Sequence, residues 1–395
     1  MRVVACSGRP LCPSTRPKAV ARSGWTGPGR DESSRTLGTA RERGDERSAP
    51  IPRLRQCAVP IVARDGLHES GHVSQTPAAT ALLALSRDDV VDLLSLTEAI
   101  ATQRAAFVGL ATGEAYLAPR ILSGGAHDDT TFVYVARLSP EAGVVTKIGS
   151  VVPGNADRGL PTIHALVVAV DPLTGRPAAL LNGEAVTELR TVAASMLAAQ
   201  TLRPGGVAHR IALVGYGRQG RGHGAAARRL FPDAEITFWD PVATGDDEEH
   251  RIGRAGSAQD AVAGADLVIT CTTSTEPVIA ADWLADGATV ISVGSFGPQH
   301  REVGDDVLSR ASVVVDHAAT AVEQAGPVRH AIATGALAVD DVRSLGEAIV
   351  DGYTRPADRT WTYYNTVGIG IQDAAVTAAL LERAAAAGVG SLLPW

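Results

Sequence analysis

Of the 36 basic residues in the 395-residue chain, only two are lysines, Lys18 and Lys147. Lys147 lies in the stretch EAGVVTKIGSVVPGN, residues 141–155. A guanidinium stays charged in practice, whereas an ammonium can lose its proton when burial or neighbouring cations lower its pKa. A chain that uses arginine almost everywhere has either kept one lysine for proton chemistry or retained it by compositional drift.

A second chemical signal is AHRIALVGYGRQGRGHGAAARRLFPDAEITFWDP, residues 208–241. RIALVG reads as a buried strand, GRQGRGHGAAARRL as a helix and AEITFWD as a second strand. Gly215, Gly217 and Gly220 form G-x-G-x-x-G across the strand–turn–helix junction, and Asp240 follows at the end of the second strand. In this pattern the first glycine permits the tight turn and the second lets the backbone approach a pyrophosphate. The third packs helix against strand, and the acid accepts ribose hydroxyls. Arg218 and Gln219, in the first turn of that helix, belong to the expected cofactor set. So do Thr272 and Thr273, which follow the strand ADLVITC and fall beyond its carboxyl end, where ligands of open parallel sheets sit. As plain loop hydroxyls, these two threonines would need no ligand. Pro241 and Val242 follow Asp240 with no arginine nearby in the sequence, which favours NAD(H) over NADP(H).

The elements that must position these groups come in blocks. Further strands are expected at 265–274, 287–295 and 311–316. Residues 1–78 lack helical or strand periodicity, are rich in Arg, Ser, Pro and Gly, and hold Cys6, Cys12 and Cys57. They are expected to be a disordered or non-native extension. Patterned sequence begins at ALLALSRDDVVDLLSLTEAI, a short strand followed by a helix start at Ser86. A net charge of −7 argues against a nucleic-acid partner, and no run approaches the roughly 18 apolar residues of a membrane span. Cys271 stands alone in the patterned region, so a reducing cytoplasm is the expected compartment. No His/Cys/Asp cluster has metal-ligand spacing.

Several motifs together resemble the ornithine cyclodeaminase / mu-crystallin family. They are PR at 119–120, K…VVPGN at 147–155, D…TG…A at 171–178 and T.LRTVAAS at 187–195. GYGRQG at 215–220, VGS…P…E at 293–302 and VGIGIQDAAVTAALLERA at 367–384 complete the set. The resemblance implies an α/β fold, with a doubly wound Rossmann sheet (203–317) inserted in a substrate-binding and dimerisation domain (80–202 plus 318–395). It also implies a homodimer and a small imino- or amino-acid substrate. Arg120, Lys147 and Arg190 would gather around the substrate carboxylate. Elementary chemistry agrees: paired guanidinium forks suit a planar carboxylate, and a lysine beside two arginines can relay a proton.

One departure matters. Ornithine-cyclising members carry an aspartate shortly after the VG of a late Rossmann strand, and here that position is Phe296. A phenyl ring neither takes a proton nor makes a charge-assisted bond to an ammonium. Asp128 and Asp129 are candidates for the distal amine, although HDDT also reads as a turn. His300, His317, Gly154 and Asn155 read as structural. The expectation is therefore reduction of a cyclic ketimine, of the Δ1-pyrroline-2-carboxylate or Δ1-piperideine-2-carboxylate type, by NAD(P)H. The alternatives are ornithine cyclodeaminase, an amino-acid dehydrogenase acting on an open-chain imine, and a non-catalytic binder of NAD(P)H or a small molecule.

Overall fold

Two serine-led capping boxes set the first elements. Strand β1 (Ala81–Leu85) leads into Ser86, which caps helix α1 (Arg87–Leu93) in a reciprocal box with Asp89. Ser95 caps α2 (Leu96–Ala111) with Glu98 in the same way. Each box satisfies two backbone donors that a helix start would otherwise leave open. The computed structural model describes residues 81–125 and 129–395. The expected extension over 1–78 and the candidate Asp128 lie outside the described residues.

The first sheet is largely antiparallel and is built from both ends of the patterned chain. Its strands are β2 (Tyr116–Leu117), β3 (Ile121–Gly124), β4 (Thr130–Arg137), β5 (Val145–Val151), β6 (Ile163–Val170) and β7 (Pro177–Asn182). They run in the order β7-β6-β5-β4-β2, with β3 also on β4 and β1 parallel to β7. The late strand β16 (Ser391–Pro394) closes the far edge against β1. Asp171 Oδ1 accepts from the backbone of Leu173 and Thr174, forming the Pro–Leu–Thr–Gly turn between β6 and β7. Helices α2, α3 (Gly183–Leu202) and the C-terminal α10 (Gly370–Ala387) pack together on one face. Period-two alternation on β5 buries Val145 and Lys147 and exposes Ile148.

The second sheet is parallel throughout. It contains β8 (Arg210–Val214), β9 (Glu235–Trp239), β10 (Gly253–Arg254), β11 (Leu267–Thr270), β12 (Thr289–Ser292) and β13 (Ala311–Val315), then β14 (Val342–Ser344) and β15 (Trp361–Asn365). The order is β10-β9-β8-β11-β12-β15-β13-β14. Its connecting helices are α4 (Arg218–Leu230), α5 (Ala258–Val262), α6 (Asp305–Leu308), α7 (Ala318–Gln324), α8 (Gly326–Thr334) and α9 (Leu345–Asp351). Successive connections leave β8 in opposite directions, toward β9 and toward β11, so the switch point lies between β8 and β11. Strands β11, β12 and β13 are four- or five-residue runs buried on both faces, as expected for parallel strands covered by helices.

The sheet does not stop at residue 317, the boundary expected from the sequence. β14 and β15 come from the segment assigned to the other domain, and β15 inserts between β12 and β13. WTYYN is a fully buried run, which suits a central place in a parallel sheet. The chain therefore leaves the second sheet at Asn365 and returns to the first through α10.

Candidate active site

Lys147 is only 2% exposed, and its position follows from β-sheet register. It pairs directly with Tyr134 across β4 and β5, so both side chains lie on the face covered by α10. The ammonium stands 4.9 Å from the Tyr134 ring centroid. Nζ donates to Asp373 Oδ1 at 2.7 Å and to Thr187 Oγ1 at 3.2 Å. Burial pushes the ammonium down to a pKa of about 8, with Arg190 and Arg120 adding to the fall and Asp373 opposing it. Desolvation is the principal cause of this fall, ahead of the neighbouring cations.

Arg190, on α3 with Thr187, is also buried. Its Nε lies 3.5 Å from the same Asp373 Oδ1, and an Nη donates to Gln372 Oε1 at 3.3 Å. The guanidinium rests against Gly368, where a Cβ would fall 2.8 Å from it. Gly368 is held in turn by Asp316 Oδ2, which accepts its N–H at 2.7 Å. Burial raises the pKa of Asp316, while the Gly368 N–H and Arg190 act to lower it. Arg120 donates to Tyr134 Oη at 3.2 Å and to Gln324 of α7. Leu117, Arg120, Tyr134, Thr320, Gly368 and Ile369 line one small cleft.

Arg120 and Lys147 thus both lie against Tyr134, which lines the cleft, and Arg190 shares Asp373 with the lysine. Arg120 Nε is buried without a hydrogen-bond partner, whereas Arg190 Nε has only its 3.5 Å ion pair with Asp373. Buried polar groups are nearly always bonded, and an orphaned cationic donor marks a place for an anion. Asp373 and Asp316 are functional neighbours that the sequence does not single out. Asp373 sits among alanines in GIQDAAVTAAL, and its partner Lys147 is 226 residues away. The available signal is a lone acid in the first turn of an otherwise apolar helix.

The dinucleotide motif folds as expected. Gly215 ends β8 with φ +91°, and a Cβ there would lie 2.7 Å from the Cys271 carbonyl. A Cβ at Gly220 would lie 2.2 Å from the Gly215 carbonyl, so helix and turn touch only because Gly220 lacks one. Gly217 is the N-cap of α4, has open space beside it and offers no capping side chain. The first-turn N–H groups thus face a cradle that suits a pyrophosphate. Arg218 extends away from the motif to Glu188 (3.0 Å) and Glu184 (3.5 Å) on α3. The Gln219 carbonyl accepts from His223, and its side-chain Oε1 is buried without a partner.

Asp240 ends β9 beside the motif. Oδ2 accepts from Tyr216 N, and Oδ1 from Val242 N and Ala243 N. Partial burial works to raise its pKa, but the three N–H donors outweigh it and hold it below the ordinary value. Asp240 therefore organises its own loop. Although no arginine is near in sequence, folding brings the Arg254 guanidinium to 3.4 Å from the Asp240 carbonyl. Thr272 lies past β11, where its N–H donates to Glu302, and Thr273 is exposed. Glu302 also accepts from Ser292, Gly294 and Ser295 and is fully buried, which makes it the brace of this loop.

The remaining candidates behave as structural residues. The Phe296 ring lies tilted against His300, with centroids 5.1 Å apart, and burial lowers the His300 pKa. His317 pairs with Thr320, and Asn155 with Pro161 and Arg158 within its turn. The Asp129 carbonyl accepts from Gly125 N–H between β3 and β4. Among the described residues no group of three or more His, Cys, Asp or Glu is placed to hold a metal ion. Among them, too, no helix is long and apolar enough to cross a membrane.

Known proteins share this architecture. An alanine dehydrogenase from Archaeoglobus fulgidus is 31% identical over 319 residues, covering 78% of this chain and 97% of the relative. The ketimine reductase mu-crystallin of Mus musculus is 28% identical, covering 61% of this chain and 76% of its own. The structure of Thermococcus litoralis Δ1-pyrroline-2-carboxylate reductase, in complex with NADH and L-proline, superposes with a TM-score of 0.72. It is 26% identical and covers 78% of this chain and 99% of that one. The model of the ornithine cyclodeaminase/mu-crystallin family matches residues 81–388, and the chain belongs to that family.

Proposed function

We propose that the protein is an NAD(P)H-dependent imine reductase, converting a small α-imino acid of the Δ1-pyrroline-2-carboxylate or Δ1-piperideine-2-carboxylate type to the cyclic amino acid. The observation that carries this reading is the cationic cluster itself: Arg120, whose buried Nε has no hydrogen-bond partner, and the buried Lys147 and Arg190, which share the single carboxylate of Asp373. The two guanidinium groups hold the substrate carboxylate, with Arg190 braced by Gln372 and Gly368. The bound dinucleotide supplies the hydride. Gly215, Gly217, Gly220, the backbone N–H groups of Arg218 and Gln219, Asp240, Thr272 and Thr273 would hold it, with the pyrophosphate at the start of α4. As the imine carbon gains hydride, the nitrogen takes the proton of Lys147 Nζ, and the lysine is reprotonated from water.

Phe296 favours this reductive half-reaction over ornithine cyclisation, which needs a group to handle a second amine. The fitting test is oxidation of NADH and of NADPH by the two imines, with ammonia release from ornithine followed in parallel. Imine-dependent oxidation without ammonia is expected, with NADH preferred because Asp240 disfavours a 2′-phosphate. Ammonia and proline from ornithine would sink the reading. A second reading, reduction of an open-chain imine formed from a 2-oxo acid and ammonia, is favoured by the likeness to an alanine dehydrogenase over 97% of that protein. Pyruvate plus ammonia as co-substrates in the same assay distinguishes the two.

A homodimer accompanies this reading. Ile121, Val133, Ile148 and Leu166 form one cross-strand row on the outer face of the first sheet, and Ile121, Ile148 and Leu166 are exposed. A contiguous apolar row of this kind is a surface that a second copy could cover. Sedimentation at twice the chain mass is expected, and Ile148→Asp should halve it; a monomeric native protein removes the proposal.

A further inference from the structure

Lys147 is held in a setting that should strip its proton. It is fully enclosed by β4, β5, α3 and α10, and the charges of Arg190 and Arg120 bear on it. The groups facing Nζ are Thr187 from α3, the Tyr134 and Phe132 rings from β4, and Asp373 from α10. Among the described residues Asp373 is the one anion in this shell, since Asp316 engages Gly368 and faces Arg190.

The way Asp373 is bonded is unusual for a merely structural acid. One oxygen, Oδ1, serves both Lys147 (2.7 Å) and Arg190 (3.5 Å), while the other, Oδ2, is buried with no hydrogen-bond partner. A residue kept for its hydrogen bonds would have both oxygens satisfied. Asp373 also lies in the first turn of the 18-residue α10, where the helix dipole favours negative charge. Both observations describe a group retained for its charge.

We propose that Asp373 is the positioning residue of Lys147: its carboxylate keeps the buried ammonium protonated at neutral pH and fixes Nζ in place. Thr187, a neutral acceptor, sets direction but not charge. The catalytic consequence rests on the reading of Lys147 as proton donor, whereas the ionisation itself does not. The sign follows from the groups present. Removing the carboxylate leaves burial and two guanidinium groups, all lowering the lysine pKa, with nothing to oppose them. A donor with a lower pKa stays active at low pH but fails earlier as pH rises, so the alkaline limb of the rate profile moves to the acid side by the same amount.

The sequence offers a direct test. With only Lys18 and Lys147 in the chain, lysine labelled with ¹³C at Cε gives two resonances, and Lys147→Met identifies which is which. In the native protein the Lys147 resonance is expected to titrate near pH 8. In Asp373→Asn the midpoint should fall by at least about one pH unit, a tenfold loss of the charged fraction above it. In Asp373→Glu it should stay within about half a unit of the native value, since the charge is kept. An unshifted midpoint in the Asn variant overturns the proposal. Should that variant not fold, the Glu variant decides: a folded Glu protein with a midpoint a unit or more below the native one overturns it equally.

Activity adds a contrast that a purely structural role would reverse. The isosteric Asn variant should fail at neutral pH and recover toward pH 6, whereas the longer but charged Glu variant should retain its alkaline limb. A native protein that reduces no imine, yet shows the predicted titration, loses the functional reading and keeps this one. Imine reduction with a Lys147 midpoint unmoved in the Asn variant does the reverse: the functional reading stands and the role of Asp373 falls.

Discussion

Lys147→Arg is expected to lower kcat for imine reduction by about 10²–10⁴-fold, the range removed with a positioned proton donor. The substitution keeps the positive charge, so a site that needed only a cation would tolerate it. Arginine cannot give up a proton in a protein, and its planar fork does not fit the single contact Nζ makes with Asp373 Oδ1 at 2.7 Å. Lys147→Ala should fall as far. In both variants the affinity for NADH, read by fluorescence titration, should match the native protein, because the cofactor motif lies at the ends of β8, β9 and β11. Native-like turnover in the arginine variant would remove the proton-donor role and revive compositional drift as the explanation for this lysine.

Arg120→Ala should act on binding instead, raising KM for the imino acid by about 10–150-fold, corresponding to the roughly 1.5–3 kcal/mol of a hydrogen bond to a charged group. Its effect should fall mainly on KM, because the guanidinium lines the cleft and, in the proposed reading, grips the carboxylate in ground and transition states alike. Arg190 is less suited to this experiment, since it is braced by Asp373, Gln372 and Gly368, and removing it leaves a buried carboxylate short of a cation. Steady-state kinetics on the native protein and Arg120→Ala, with NADH saturating, check the split. Unchanged KM with reduced kcat would place Arg120 outside the carboxylate clamp.

What can be read from the sequence is what is encoded locally. The β8–α4–β9 unit is announced by Gly215, Gly217, Gly220 and Asp240, close together in the chain, each serving a short-range geometric need. Ser86, Ser95 and the turn at Asp171 are legible for the same reason. Lys147 stands out by residue type, and its burial follows from its place in the alternation of β5. The parts that stay hidden depend on chain return. Asp373 meets Lys147 only because α10 comes back across the first sheet. Asp316 reads as the end of a strand, and only folding brings Gly368 to rest on it. Arg254 reaches the Asp240 loop through an edge strand, so absence of an arginine in the neighbouring sequence does not mean absence in space. A boundary at 317 misses β15 for the same cause: a buried five-residue strand carries no label of the sheet it joins.

Phe296 shows how a negative signal from sequence fares in the fold. The position expected to carry an amine-handling acid carries a ring tilted against His300, and the nearby Glu302 is fully engaged in bracing the Thr272 loop. The acids that approach the clamp, Asp373 and Asp316, are committed to Lys147 and Gly368. In the proposed reading the site is thus equipped to bind a carboxylate and deliver a proton, with a ring rather than an acid at the position where cyclising relatives hold an amine.

The most direct test of the central claim is the fate of the hydride. The native protein, given NADH deuterated at C4 on the transferred face and Δ1-pyrroline-2-carboxylate, should yield proline carrying one deuterium at Cα, and Lys147→Arg should form it about 10²–10⁴-fold more slowly. NADH oxidation without deuterium in proline, or proline formed only from ornithine with ammonia released, would contradict the account.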